Sequence, residues 1–191
     1  MNNLKDLIRK NRSYRRFYQD VSIPQYMLEE FVDLARLSPS ARNAQTLKFF
    51  ISCDAETNAR IFPTLSWAGY LKEWKGPAEG ERPSAYIIIF NDTTISDNYF
   101  CDDGIAAQSI LLGAVEQGFG GCIVGSVDRL KLTEELNVPS HLRIVEVIAL
   151  GKPREEVSIE EMKDGDIKYW RDKAGVHHVP KRPLEEIIVK F

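Results

Sequence analysis

Cysteine is scarce in this chain: Cys53, Cys101 and Cys122 are the three among 191 residues. They are too few and too scattered for a disulfide framework, and no C-x-x-C or Cys/His spacing suggests a structural zinc site. A reducing compartment, the cytoplasm, is the expectation. Cys101 and Cys122 read as small buried apolar residues more than as reactive thiols. Long hydrophobic runs are also missing. The longest, "AYIIIF", is far too short to cross a bilayer, and the N-terminal "MNNLKDLIRKNRSYRRF" lacks the continuous apolar stretch of a signal peptide, so no membrane partner is expected. There is no surplus of positive charge either. A formal net charge of -3 argues against nucleic acid, because phosphate-backbone binding needs a basic excess or a strong basic face.

Histidine is limited to His141, His177 and His178. The adjacent pair does not share a helical face and no carboxylate joins it at metal-ligand spacing, so no metal is assigned and these read as surface or terminal-segment residues. Neither a G-K-[ST] phosphate loop nor a G-x-G-x-x-G dinucleotide turn occurs. No repeat, low-complexity tract or Gly/Ser linker interrupts the chain, and its length suits one domain over residues 1–191.

What is present is an ordinary soluble composition, 43% hydrophobic and 28% charged, sufficient for a sizeable core. From Tyr26 to Leu37, Leu28, Phe31, Val32 and Ala35 recur at helical spacing, which predicts an amphipathic helix ending where Pro39 biases Ser38 away from helical geometry. "KFFIS" and "AYIIIF" read as buried strands of one sheet, as does "RIVEVIALG" further on. "DDGIAAQSILLGAVEQGFGG" has almost no polar stripe, so its helix must be buried, either across the core of one subunit or between two. "RPLEEIIVKF" reads as a terminal strand. Trp67, Tyr70, Leu71 and Trp74 fall at helical spacing and read equally as an ordinary helix or as a lid over a ligand.

Two basic clusters flank the chain. "RKNRSYRRF" gathers Arg9, Lys10, Arg12, Arg15 and Arg16 around Ser13, and "HHVPKRP" carries Lys181 and Arg182. Either alone is accounted for by a solvated face. Together with a glycine loop at "FGGCIVG", where Gly120 and Gly121 would allow close backbone approach, they supply what a phosphate ester requires. "SPSARNAQ" between two apolar segments is explained equally by a plain turn.

Taken in order, "RSYRRF", "SPSARNAQTLKFF", "GERPSAYIII", "DDGIAAQSILLGAVEQGFGGCIVG" and "IALGKP" resemble the nitroreductase family, with a weaker match at "VPKRPLEEIIV". The resemblance implies an α+β fold, a mixed and mainly antiparallel sheet flanked by helices, in an intertwined homodimer joined through residues 104–117 and the C-terminal segments. It implies bound FMN, NAD(P)H as electron donor and a nitroaromatic, quinone or similar small acceptor served by a ping-pong cycle. The residues it assigns to FMN are Arg12, Ser13 and Arg15, then Pro39, Ser40, Asn43 and Gln45, then Gly120, Gly121, Lys181 and Arg182. The chemistry is the flavin's, so no protein residue is named as catalytic. Four positions depart from the family pattern: Thr46-Leu47 follows Gln45 where many members have Pro-Trp, Asn11 stands where a basic residue is frequent, and Ser109 replaces an Asn. The alternatives are a non-catalytic flavin-binding or regulatory dimer, and a cofactor-free dimeric interaction protein.

Overall fold

A computed structural model describes residues 3–191. Helix α1 (Leu4–Lys10) and the short strand β1 (Phe17–Tyr18) lead into helix α2 (Gln25–Leu37). Strand β2 (Leu47–Ser52), helix α3 (Ala55–Ile61), strand β3 (Ala85–Asp92) and helix α4 (Asp102–Glu116) follow. Next come strand β4 (Gly120–Val124), helix α5 (Arg129–Leu136) and the long strand β5 (Leu142–Pro153). The C-terminal part holds strands β6 (Val157–Glu161), β7 (Trp170–Arg171) and β8 (His177–Lys181), then helix α6 (Leu184–Ile187).

The main sheet runs β1-β5-β3-β2, with β4 also paired to β5, and each of these pairings is antiparallel. A parallel bridge between Ser13 and Gly121 adds the mixed element. Every residue of β3 is buried, because the sheet is covered on both sides. Ile87 and Ile89 join a cluster with Leu28, Phe31, Ala107 and Ile110 of α2 and α4. Tyr86, Ile88 and Phe90 join Ile61 and Leu132 on the opposite face. A strand buried on both faces needs no polar alternation, which is why its sequence is a continuous apolar run. Each such isoleucine contributes about 1.5–3 kcal/mol of burial free energy.

The second sheet is small, ordered β6-β8-β7, with β6 and β8 parallel and β7 antiparallel to β8. Two sequence expectations are corrected. The apolar end of the chain is not a strand: Leu184–Ile187 form one short helical turn capped by Pro183. Pro183 removes a backbone donor where a strand would need one, and its backbone geometry suits the entry to a helix. The segment carrying Trp67, Tyr70 and Trp74 is no helix but a series of turns and bends. Gly76, at φ 117, and the following Pro77 are incompatible with a regular helix there. Helix α4 is buried as its sequence requires, with Ala106, Ala107, Ile110, Leu111, Ala114 and Val115 all buried within this chain while Gly104, Gln108 and Glu116 are exposed. Among the described residues, no helix is long and apolar enough to cross a membrane.

Candidate active site

The loop between α2 and β2 is held in an unusual backbone conformation. Arg42, Asn43 and Gln45 have φ of 55, 54 and 51°. Left-handed backbone costs a non-glycine residue roughly 1–2 kcal/mol, with Asn the most tolerant. Local hydrogen bonds hold the shape. Ser40 Oγ accepts from the Gln45 amide at 3.0 Å, and the Ala41 amide donates to buried Asp102 Oδ1 at 3.0 Å. Gln45 Nε2 donates to the Asn43 carbonyl at 3.3 Å, whereas the Asn43 side chain makes no hydrogen bond among the described residues. Pro39, Ser40, Asn43 and Gln45 thus line one cavity of about 360 Å³, walled on the other side by Asp102, Ile105 and Ala106 of α4. Ser109, at the position where the family favours Asn, lies with its hydroxyl 2.7 Å from that of Ser38.

Arg15 lines a different cavity of about 160 Å³, with Ser66, Trp67 and Ala68 on one side and residues 122–126 on the other. The two cavities share no lining residue. Ala68 adopts φ 43° here, a second point of stored backbone strain. The Arg15 guanidinium sits 5.0 Å over the Tyr169 ring, and its Nη1 lies 3.2 Å from His177 Nε2. A guanidinium can only donate, so Nε2 must accept and the imidazole proton resides on Nδ1. That Nδ1 is buried without a partner. Burial, then the neighbouring Arg15 and Arg171 cations, pull His177 down to about 4, so it is neutral near pH 7. Trp67 Nε1 and Arg12 Nε are likewise buried without partners. Arg12 Nη2 donates to the Ile8 carbonyl at 3.0 Å, and desolvation lowers its pKa.

Glu155 fastens this region. Its side chain is fully buried, one carboxylate oxygen accepts from the backbone amides of Arg15 and Arg16, and the other pairs with Arg171 Nη2 at 2.8 Å. Arg171 also lies 4.8 Å over the Trp74 ring. The second sheet is therefore docked directly on the segment that carries Arg15.

The remaining expected site residues are placed as follows. Ser13 is exposed and bridges Gly121 through its backbone. Gly120 and Gly121 belong to strand β4 and not to a loop, a correction with a packing cause. A Cβ on Gly120 would sit 2.6 Å from Tyr14, and one on Gly121 2.5 Å from the Ala149 carbonyl oxygen. Lys181 ends β8 and Arg182 pairs with Glu186 at 3.2 Å. Neither lines the two cavities. Cys122 is buried, but Cys101 is exposed, contrary to expectation. His177, expected at the surface, is 1% exposed. One signal in the sequence points to it. Adjacent residues of a strand face opposite sides, so a His-His pair in β8 must turn one ring inward. Nothing comparable marks Glu155 or Tyr169.

The Arg15 cation and Trp67, whose Nε1 is unpartnered, line one narrow cavity, a combination that suits an acceptor-rich, anionic ligand. The Nitroreductase family model matches residues 8–152. A protein of Archaeoglobus fulgidus, provisionally named an NADH dehydrogenase/NAD(P)H nitroreductase, is 28% identical over 157 residues, 78% of this chain and 85% of its own. The solved FMN-dependent nitroreductase of Clostridium difficile R20291 superposes with a TM-score of 0.64 at 25% identity, covering 84% of this chain and 90% of that one. A nitroreductase family protein of Streptococcus pneumoniae TIGR4 shares the fold over 99% of this chain and 100% of its own, with a TM-score of 0.70 at 18% identity. The antiparallel sheet between helical layers, and a family match that spans most of the sequence, lead to one conclusion: this chain belongs to the nitroreductase family.

Proposed function

We propose that the protein is an FMN-dependent oxidoreductase that takes electrons from NAD(P)H and delivers them to a nitroaromatic, quinone or similar small acceptor. The observation that carries this reading is the Arg15 cavity, lined by a guanidinium and by Trp67, whose Nε1 is unpartnered. The flavin phosphate and the pyrimidine edge of its ring system are acceptors for such donors. Dependence on FMN in the similar Clostridium difficile protein supports the same assignment.

When bound, FMN supplies the redox chemistry, accepting hydride from NAD(P)H and then reducing the acceptor in alternation. The residues supply placement and charge. Arg15 and Arg12 hold anionic groups, and a guanidinium in the cavity favours the negative charge that accompanies flavin reduction. Neutral His177 accepts from Arg15 and fixes its direction without adding positive charge.

The loop from Ser38 to Gln45 lines the other cavity, so we assign it to the site of a second copy of the chain. A homodimer would then have two sites, each built from both subunits. The exposed apolar tail supports such an exchange, with Leu184, Ile187, Val189 and Phe191 64, 60, 71 and 117% exposed in the single chain. Three free cysteines fit a cytoplasmic setting.

The test is flavin retention in purified protein, read by visible absorbance and by chromatography of the released cofactor. Arg12→Ala and Arg15→Ala each remove a charge-assisted contact of about 1.5–3 kcal/mol, so FMN binding should weaken roughly ten- to a hundredfold. Arg9→Ala is the control. Arg16 is unsuitable as one because it is clamped to Glu81, with Nε to Oε2 at 2.8 Å. Equal retention in all three variants, or FAD as the extracted flavin, would overturn the reading.

A further inference from the structure

A third cavity, about 260 Å³, opens where α3, the start of β3 and the loop after β1 meet. Its polar lining is unbalanced in one direction. The acceptors are already engaged: Gln19 Oε1 takes the amides of Gly80 and Arg82, and Asn58 Oδ1 takes the Ser52 hydroxyl. The Asn58 amide nitrogen is also used, donating to the Ser84 carbonyl at 2.9 Å. The donors are free. Arg82 Nε is buried without a partner, and Arg82 forms no ion pair among the described residues, resting only 4.5 Å over the Phe62 ring. The Ser84 hydroxyl is buried and unpartnered in a residue 9% exposed. Tyr86, 1% exposed, makes no side-chain hydrogen bond among the described residues. Burial pushes the Tyr86 phenol well above its ordinary value, so it remains a protonated donor throughout the physiological range.

A buried donor left unpaired costs about 1–3 kcal/mol, and two in one cavity, Arg82 Nε and the Ser84 hydroxyl, are a liability unless something accepts from them. No Asp or Glu lines this cavity to do so. We infer that it is a binding site for a small organic carboxylate, held by Arg82, Ser84 and Tyr86. One cation with two neutral hydroxyls matches a single negative charge better than a phosphate dianion. The apolar remainder of the wall, Ala55, Ala59, Phe62 and Pro83, suits a carbon skeleton, and the volume is several times that of one water. The site has no lining residue in common with the Arg15 cavity, so it stands apart from the proposed flavin chemistry.

Isothermal titration of the purified protein with acetate, benzoate and phosphate tests this. Saturable binding of a carboxylate in the millimolar range is expected, weakened about tenfold or more by Arg82→Gln and several-fold by Tyr86→Phe. Arg15→Ala should leave it unchanged. If Arg82→Gln does not fold, as judged by circular dichroism, Tyr86→Phe decides, since it removes one oxygen and no packing volume. Absence of saturable carboxylate binding, equal binding by wild type and Tyr86→Phe, loss of binding in Arg15→Ala, or tighter binding of phosphate would each overturn the inference.

Discussion

Replacing Glu146 with glutamine should make the protein more stable, and only above mildly acidic pH. Glu146 faces Ile89 across the β5-β3 ladder, and its Oε1 is buried without a partner. The nearest cation gives it little, because Arg129 spends its donors on the Ile144 and Val145 carbonyls at 3.1 and 2.6 Å. Burial, reinforced by Asp103, pushes the Glu146 carboxyl from 4.5 up to about 7. The folded state therefore holds a proton that the unfolded chain releases, and stability falls as pH rises from about 4.5 to about 7. Full burial would make this difference worth about 3 kcal/mol, and solvent screening at a group still partly wetted reduces it to roughly 1–2 kcal/mol. His177 has the opposite sign. Its folded pKa lies near 4 against 6.5, so stability falls as pH drops through that interval, and the two slopes oppose one another where the windows overlap.

Glu146→Gln removes one slope and keeps the shape. At about pH 8 its Tm should exceed that of wild type by about 2–8 °C, whereas near pH 4, where Glu146 is protonated, the two should agree closely. Urea and thermal unfolding across that pH range give the difference directly. A gap between the two proteins that does not change with pH would refute the reasoning, because a pure packing effect has no proton linkage.

Two further outcomes follow from close contacts. Gly121→Ala drives a methyl against the Ala149 carbonyl oxygen, 2.5 Å away. Strand backbone cannot yield as a side chain can, so a loss of about 1–3 kcal/mol in denaturant unfolding is expected. Glu155→Ala leaves Arg171, 17% exposed at its side chain, without its partner. The expected loss is about 3–5 kcal/mol by thermal unfolding, and a change within about 0.5 kcal/mol would show that Glu155 is not holding the second sheet in place.

The elements legible in the sequence are those whose pattern has a single cause. Period-3.6 burial marked α2, and β3 showed as an unbroken apolar run because helices cover both faces of its sheet. The segment from Trp67 to Trp74 misled because its aromatic rings serve three separate partners. Trp67 meets Phe62, Tyr70 meets Tyr169 and Trp74 lies beneath Arg171. Spacing alone cannot separate that from a helical stripe. "EEIIVKF" has strand-forming side chains, but Pro183 and one helical turn intervene and the described residues pair it with no strand. The candidate site was legible where it is local, as the loop from Ser38 to Gln45 gathers its four expected residues in one cavity. It was illegible where it depends on distant partners. Glu155, Tyr169 and His177 reach Arg15 through tertiary contacts that leave no periodic trace.

The Glu155 clamp also bears on when the protein can become competent during synthesis. The Arg15 amide and the carboxylate that receives it are 140 positions apart, and the His177 contact spans 162. Contacts so distant in sequence close late, after local helices and hairpins have formed. On the ribosome, the residues around Arg15 emerge well before their anchors. A nascent chain therefore carries its cavity cation unanchored until strand β8, 162 positions downstream, has also been translated.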